Sequence, residues 1–191
     1  MSGTSPNIRG QVHQPLTIAV IGAGAFGRDF AVACAAAGFS VILEDVMPEK
    51  LRNAAAEFAR IGREVTLVMT VEDAVRAADI VFDFVPDELE SKLEIWSMID
   101  RMAPPKTVMC TPSQALSITD LASCTYRPDR CVMVRGSLAG QGSVNLLSAK
   151  SISQTTLAIA STVLTTLGYN VQSHPDPDLP QLLKNMHATS L

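Results

Sequence analysis

Six residues, Gly22-Ala23-Gly24-Ala25-Phe26-Gly27, carry the spacing G-x-G-x-x-G, and Asp45 follows 23 residues after the first glycine. Each glycine answers a separate demand of a loop that binds a dinucleotide. Gly22 permits a tight turn, Gly24 lets backbone N–H groups approach a pyrophosphate at a helix N-terminus, and Gly27 lets helix and strand pack closely. A bare tight turn is the alternative reading of the same residues. Asp45 can accept both hydroxyls of an adenosine ribose and would repel a 2′-phosphate. Val46-Met47-Pro48 supplies no arginine to reverse that preference, so the pattern favours NAD over NADP.

The remaining reactive side chains form no comparable pattern. Ser113 lacks a nucleophile elbow, and His174 sits in the Pro-rich run His174-Pro175-Asp176-Pro177-Asp178, where it reads as a surface histidine. Cys34, Cys110, Cys124 and Cys131 have no C-x-x-C spacing and the chain has 3 histidines, so no metal site is expected and the thiols read as reduced and mostly buried. Asp83 interrupts an apolar run and is unusual there; capping or cross-linking loops would explain it. The methionines and Trp96, at helical spacing from Leu93 and Ile99, read as packing. The Gly/Ser stretch 136–143 could hold an anion on backbone N–H groups, which would suit a non-redox enzyme.

The motif needs a strand before it and a helix after it, and the sequence supplies both. Residues 16–21 are a continuous apolar run, as in a strand buried on both faces, and the alanine-rich stretch 25–37 is a good helix former closed by Gly38. Further strands are predicted at 41–44, 65–69, 80–85, 107–110, 131–134, 144–147 and 169–172. Helices are predicted at 48–63, 71–77, 88–102, 118–122 and from the N-cap Ser153 to about 167. Such alternation implies right-handed βαβ units, hence an α/β, Rossmann-like, doubly wound and mostly parallel sheet in a single domain. Residues 1–15 form a flexible polar leader in this reading, 16–175 the NAD-binding Rossmann domain, and 176–191 a tail or short docking helix over 179–186.

The 191 residues suit one domain with modest extensions at roughly 150 residues per domain. An apolar share of 47% against 18% charged excludes a disordered chain. A net charge of −4 gives no footprint for nucleic acid or an anionic membrane. No signal-peptide core and no apolar run of about 20 residues is present, so a cytoplasmic location is expected.

Three blocks carry a family resemblance across residues 18–130. They are Ile18-Ala19-Val20-Ile21-Gly22-Ala23-Gly24, then Ala78-Asp79-Ile80-Val81-Phe82-Asp83-Phe84-Val85-Pro86-Asp87 with Lys92, then Ala103-Pro104-Pro105-Lys106-Thr107-Val108 running on to Leu116-Ser117-Ile118-Thr119 and Arg127-Pro128-Asp129-Arg130. The stretch resembles the N-terminal domain of the 3-hydroxyacyl-CoA dehydrogenases. The resemblance implies NAD as cofactor, with Asp87 in place of a glutamate near it and Lys92 matching a lysine that reaches toward the nicotinamide ribose.

The family's catalytic pattern, by contrast, is absent. Its dyad histidine falls on Arg135, the partner glutamate on Leu147, an asparagine on Leu138, and the substrate-touching serine on Ala115, with Pro112 at a neighbouring asparagine position. Arginine stays protonated and cannot act as the general base, although it could bind a carboxylate or polarise a carbonyl. The family's long CoA-gripping arm has only about twenty residues between Asp45 and Val65 in which to fit, and its all-helical C-terminal domain is not in this sequence. A positive mean hydropathy of +0.22 without that domain predicts apolar surface covered in a homodimer or by a partner protein. The expected function is an NAD-dependent oxidoreductase with Arg135 at an altered catalytic site and a changed substrate, an acyl thioester or small acid. The alternative from another class is a catalytically silent NAD-binding or partner-assembly module.

Overall fold

The computed structural model describes residues 15–178; the leader up to residue 14 and the 179–186 helix predicted above lie outside the described residues. The strands are β1 (Thr17–Ile21), β2 (Ser40–Glu44), β3 (Thr66–Val68), β4 (Ile80–Asp83), β5 (Val108–Pro112), β6 (Cys131–Arg135), β7 (Ser143–Ser148) and β8 (Asn170–Pro175). The helices are α1 (Ala25–Ala36), α2 (Pro48–Arg60), α3 (Val71–Val75), α4 (Leu89–Met102), α5 (Ile118–Ser123) and α6 (Gln154–Thr166). The strands form one sheet in the order β3-β2-β1-β4-β5-β6-β7-β8. β1 to β6 run parallel, β7 is antiparallel to β6, and β8 is parallel to β7. This is the doubly wound α/β arrangement, and the direction of winding reverses between β1 and β4.

Apolar residues occupy both faces of the strands because helices cover both. Ile18, Val20, Leu43 and Phe82 pack on one side against Phe30, Ala31 and Cys34 of α1 and Phe58 of α2. Ala19, Ile21, Val81 and Met109 pack on the other against Ala74 of α3, Trp96 and Ile99 of α4, and Leu121 of α5. The small residues of α1 bring it close to the sheet, with the Phe30 and Phe82 ring centroids 4.6 Å apart. Thr70, Ser117 and Ser153 cap α3, α5 and α6 by accepting from backbone N–H groups in the first turn.

Two family blocks turn out to be structural fasteners. Asp79 accepts from the Thr17 N–H at 3.0 Å, and the Thr107 hydroxyl donates to the Ala78 carbonyl at 2.7 Å, tying together the starts of β1, β4 and β5. Arg127 donates to the Asp100 carboxylate at 2.8 Å and to the Pro104 carbonyl at 2.6 Å, clamping the end of α4 to the approach to β6.

His174 is exposed, as expected of a surface histidine, but the last strand runs further than the predicted 169–172. β8 continues through His174 to Pro175, with His174 opposite Leu147 and Pro175 opposite Ser148. A proline is compatible with a strand at the margin of a sheet, where one side of the backbone needs no ladder partner.

Candidate functional site

The crevice above the C-terminal ends of β1 and β4 is built around the glycine motif. Gly22 has φ +95°, a left-handed conformation that favours glycine, and its N–H donates to the Glu44 carbonyl at 2.9 Å. A Cβ on Gly27 would stand 2.0 Å from the Gly22 carbonyl oxygen, so this position closes the packing of α1 on the turn. Gly24 is the N-cap of α1, has an extended backbone (φ −63°, ψ 178°), and receives no side-chain cap. A Cβ there would meet nothing within 4 Å. The 12-residue helix thus opens at an unobstructed residue with no side-chain cap and no acidic side chain in its first turn, an arrangement suited to an anion. Ala23 is buried, while Ala25 and Phe26 are exposed at the rim, Phe26 by 71%.

Asp45 stands beside this loop at the end of β2, only 4% exposed. Its Oδ2 accepts from the Ala23 N–H at 2.9 Å and from Lys50 Nζ at 3.1 Å, and its Oδ1 accepts from the Met47 N–H at 2.9 Å. Burial alone would raise its pKa, but the Met47 and Ala23 N–H groups and the Lys50 ammonium outweigh burial and hold the carboxyl below its ordinary value. The adjacent Glu44 has less support. Burial first and the Asp45 charge second push its carboxyl up to about 7, against weaker opposition from the Gly22 N–H and Lys50. Both acids border a cleft of about 650 Å³ that also includes Val46, Lys50, Val85 and Ile95. Sequence spacing alone does not mark Lys50 and Glu44; the signal for Lys50 is a lysine in the first turn of α2, five residues after the acid it meets.

The loops beyond β4, β5 and β6 are laced together at the C-terminal ends of these strands. Asp87 accepts from the Gln114 N–H at 2.9 Å, and Gln114 Nε2 donates to the Gly136 carbonyl at 3.0 Å. Lys92 is found elsewhere than the resemblance implies. It is fully buried, and its Nζ donates to Asp83 Oδ1 at 2.5 Å, while Trp96 Nε1 donates to Asp83 Oδ2 at 2.6 Å. The unusual acid in β4 is thus satisfied by two side chains one turn apart on α4, and the lysine ammonium turns inward instead of toward the cleft.

Arg135 closes β6. Its Nη2 donates to the Leu116 carbonyl at 2.8 Å and to Asp178 Oδ2 at 2.8 Å, while its buried Nε has no partner among the described residues. Strand register puts Arg135, opposite Asn145, and His174, opposite Leu147, on the same face of the sheet. Arg135, Asn145, Leu147 and His174 border one cavity of about 410 Å³. Sequence alone does not connect Arg135 and His174, because they are 39 positions apart and joined only through the reversal from β6 to β7 and the parallel pairing of β7 with β8. Among the described residues no group of three or more His, Cys, Asp or Glu side chains could hold a metal ion, and no helix is long and apolar enough to cross a membrane.

Comparison with known proteins follows the same outline. Residues 17–135 match the family model described as the 3-hydroxyacyl-CoA dehydrogenase NAD binding domain. A probable 3-hydroxybutyryl-CoA dehydrogenase of Bacillus subtilis is 32% identical over 133 residues, covering 60% of this chain and 46% of that protein. An L-carnitine dehydrogenase of Oceanobacillus iheyensis is 28% identical over 130 residues, covering 61% and 42%. The crystal structure of a 3-hydroxyacyl-CoA dehydrogenase from Archaeoglobus fulgidus superimposes with a TM-score of 0.75 at 24% identity, over 91% of this chain and 60% of that one. The chain spans about half the length of the curated relatives it matches. By the match over residues 17–135 and the sheet order observed, the chain belongs to the family of NAD-binding domains of the 3-hydroxyacyl-CoA dehydrogenases, with NAD as its cofactor.

Proposed function

We propose that this chain holds NAD for an oxidoreductase that works without the family's histidine–glutamate dyad. The observation that carries the reading is the open side of Gly24 beside the buried carboxylate of Asp45. The pieces fit the cofactor. Backbone N–H groups at the start of α1 suit a pyrophosphate, Asp45 suits the vicinal hydroxyls of the adenosine ribose, and the cleft between Val46 and Ile95 suits the adenine. Lys50, now on Asp45, would yield its place to a ribose hydroxyl. Asp87 fixes the loop over the nicotinamide end through Gln114.

Bound NAD supplies the acceptor for a hydride leaving a carbinol carbon, and the hydroxyl proton must leave to a base. Arg135 cannot be that base because its guanidinium stays protonated; it orients the substrate or polarises its oxygen. His174, bordering the same cavity, is the proton acceptor in this reading. An acyl thioester and a small free acid are the two substrate classes. The replacement of an imidazole by a fixed positive charge supports the acid, and the relative named L-carnitine dehydrogenase carries the name of a free hydroxy acid.

Calorimetric titration with NADH tests the reading, followed by its oxidation against a panel of 3-oxoacyl thioesters and small oxo acids. Binding with oxidation by at least one member is expected. No binding at millimolar concentration removes the dinucleotide reading, and binding with no oxidation favours a silent NAD-binding module.

A further inference from the structure

We propose that Arg135, with Asn145, is a receptor for the carboxylate of a free acid substrate, and that Asp178 of the same chain is its built-in competitor. The inference rests on the proposed oxidoreductase function and narrows its substrate class.

A carboxylate oxygen already sits on the guanidinium: Asp178 Oδ2 accepts from Nη2 at 2.8 Å. The Leu116 carbonyl holds the same nitrogen from another side at 2.8 Å, which fixes the orientation of the fork. The fork is only half used. Nε is buried and unpartnered, and a planar carboxylate engages two guanidinium nitrogens best when it can lie parallel to them. Asp178, with its side chain 40% exposed, meets the arginine through one oxygen. An unattached acid is free to adopt the two-point geometry.

The rest of the cavity suits a short anion. Asn145 makes no side-chain hydrogen bond among the described residues, so its amide has donors to offer. Leu147, Pro175 and Pro177 provide apolar walls for a short carbon skeleton. The neighbouring Asp176 is already engaged, accepting from the Ser117 hydroxyl at 2.7 Å and the Thr119 N–H at 2.8 Å, and so does not compete for the arginine. A thioester carbonyl is neutral and would leave the guanidinium charge uncompensated once Asp178 is displaced. A free acid replaces one carboxylate by another at no loss of charge pairing.

The test uses the chain with NAD+, with which a 3-oxo acid forms a complex and does not turn over. Acetoacetate and its methyl ester are titrated calorimetrically. The acid should bind at least tenfold more tightly than the ester. Asp178→Asn should tighten acetoacetate by about two- to fivefold, the size of a half-exposed ion pair, and leave the ester unchanged. Arg135→Gln should bring the acid down to the level of the ester, and an unaltered NADH affinity in that variant shows that the fold has survived. Equal binding of acid and ester, or no effect of Arg135→Gln in a variant that still binds NADH, overturns the proposal. Repeating the acetoacetate titration without dinucleotide reads the cavity by itself, so that failure of the NAD crevice is told apart from failure of the carboxylate receptor.

Discussion

Two glycines of the motif should fail in opposite ways when given a side chain. Gly24 has φ −63°, which any residue adopts, and a Cβ there meets nothing within 4 Å. Gly24→Val should therefore fold; the loss of a favourable N-cap residue costs at most about 1 kcal/mol. That corresponds to a fall of about 2–4 °C in Tm for a chain of this size. Its branched side chain would, however, fill the space a pyrophosphate must enter. Gly27→Ala is the reverse case, because the new methyl would stand 2.0 Å from the Gly22 carbonyl oxygen and 3.2 Å from Phe84 Cβ. Overpacking against backbone on that scale costs on the order of 3 kcal/mol, which at the same conversion lowers Tm by about 6–12 °C. Differential scanning calorimetry with and without NADH separates the two effects. At a hundredfold excess over Kd, a ligand stabilises the native state by about 2.7 kcal/mol. The wild type should show that gain and Gly24→Val should show none. A Gly24→Val protein that keeps the NADH-induced shift, or a Gly27→Ala protein with unchanged Tm, refutes the division of roles.

Asp45→Ala should weaken NADH binding by about 1–3 kcal/mol, the effect of leaving buried groups without their hydrogen-bond partner, as read by calorimetric titration. Lys92→Met should destabilise the fold by about 3–5 kcal/mol in urea melts, since it strands the Asp83 carboxylate in the core, while the folded fraction binds NADH as before; a selective loss of NADH affinity would restore the lysine to the cofactor. Glu44 gives a pH effect of defined sign. Its carboxyl ionises near 4.5 in the unfolded chain and near 7 in the folded one, so the native state holds the extra proton between those values. Stability should fall as pH rises from about 4.5 to about 7, and Glu44→Gln should flatten that slope in melts taken across the range.

The features legible in the sequence are those that local pattern controls. β1 was legible because an apolar run ending in glycines fits a strand buried on both faces, and α1 because alanine favours helix and Gly38 stops it. What escaped depends on contacts between distant residues. Arg135 and Asp178 are 43 residues apart and meet only because β7 reverses direction and β8 runs alongside it. The strand predicted at 169–172 stops short of His174 because prolines follow it, yet a strand at the sheet margin accommodates Pro175. The inward turn of Lys92 had a visible cue: Asp83 in an apolar strand needed a partner, and Lys92 and Trp96 stand one helical turn apart on α4. The fastening roles of Asp79, Thr107 and Arg127 were hidden inside family blocks whose residues look functional in isolation.

A crystal structure with NAD+ bound tests the central claim most directly. The pyrophosphate should lie on the opening N–H groups of α1 over Gly24, with the adenosine ribose hydroxyls on Asp45 in place of Lys50. A dinucleotide seated elsewhere, or one whose ribose leaves the Asp45–Lys50 pair intact, would contradict the account.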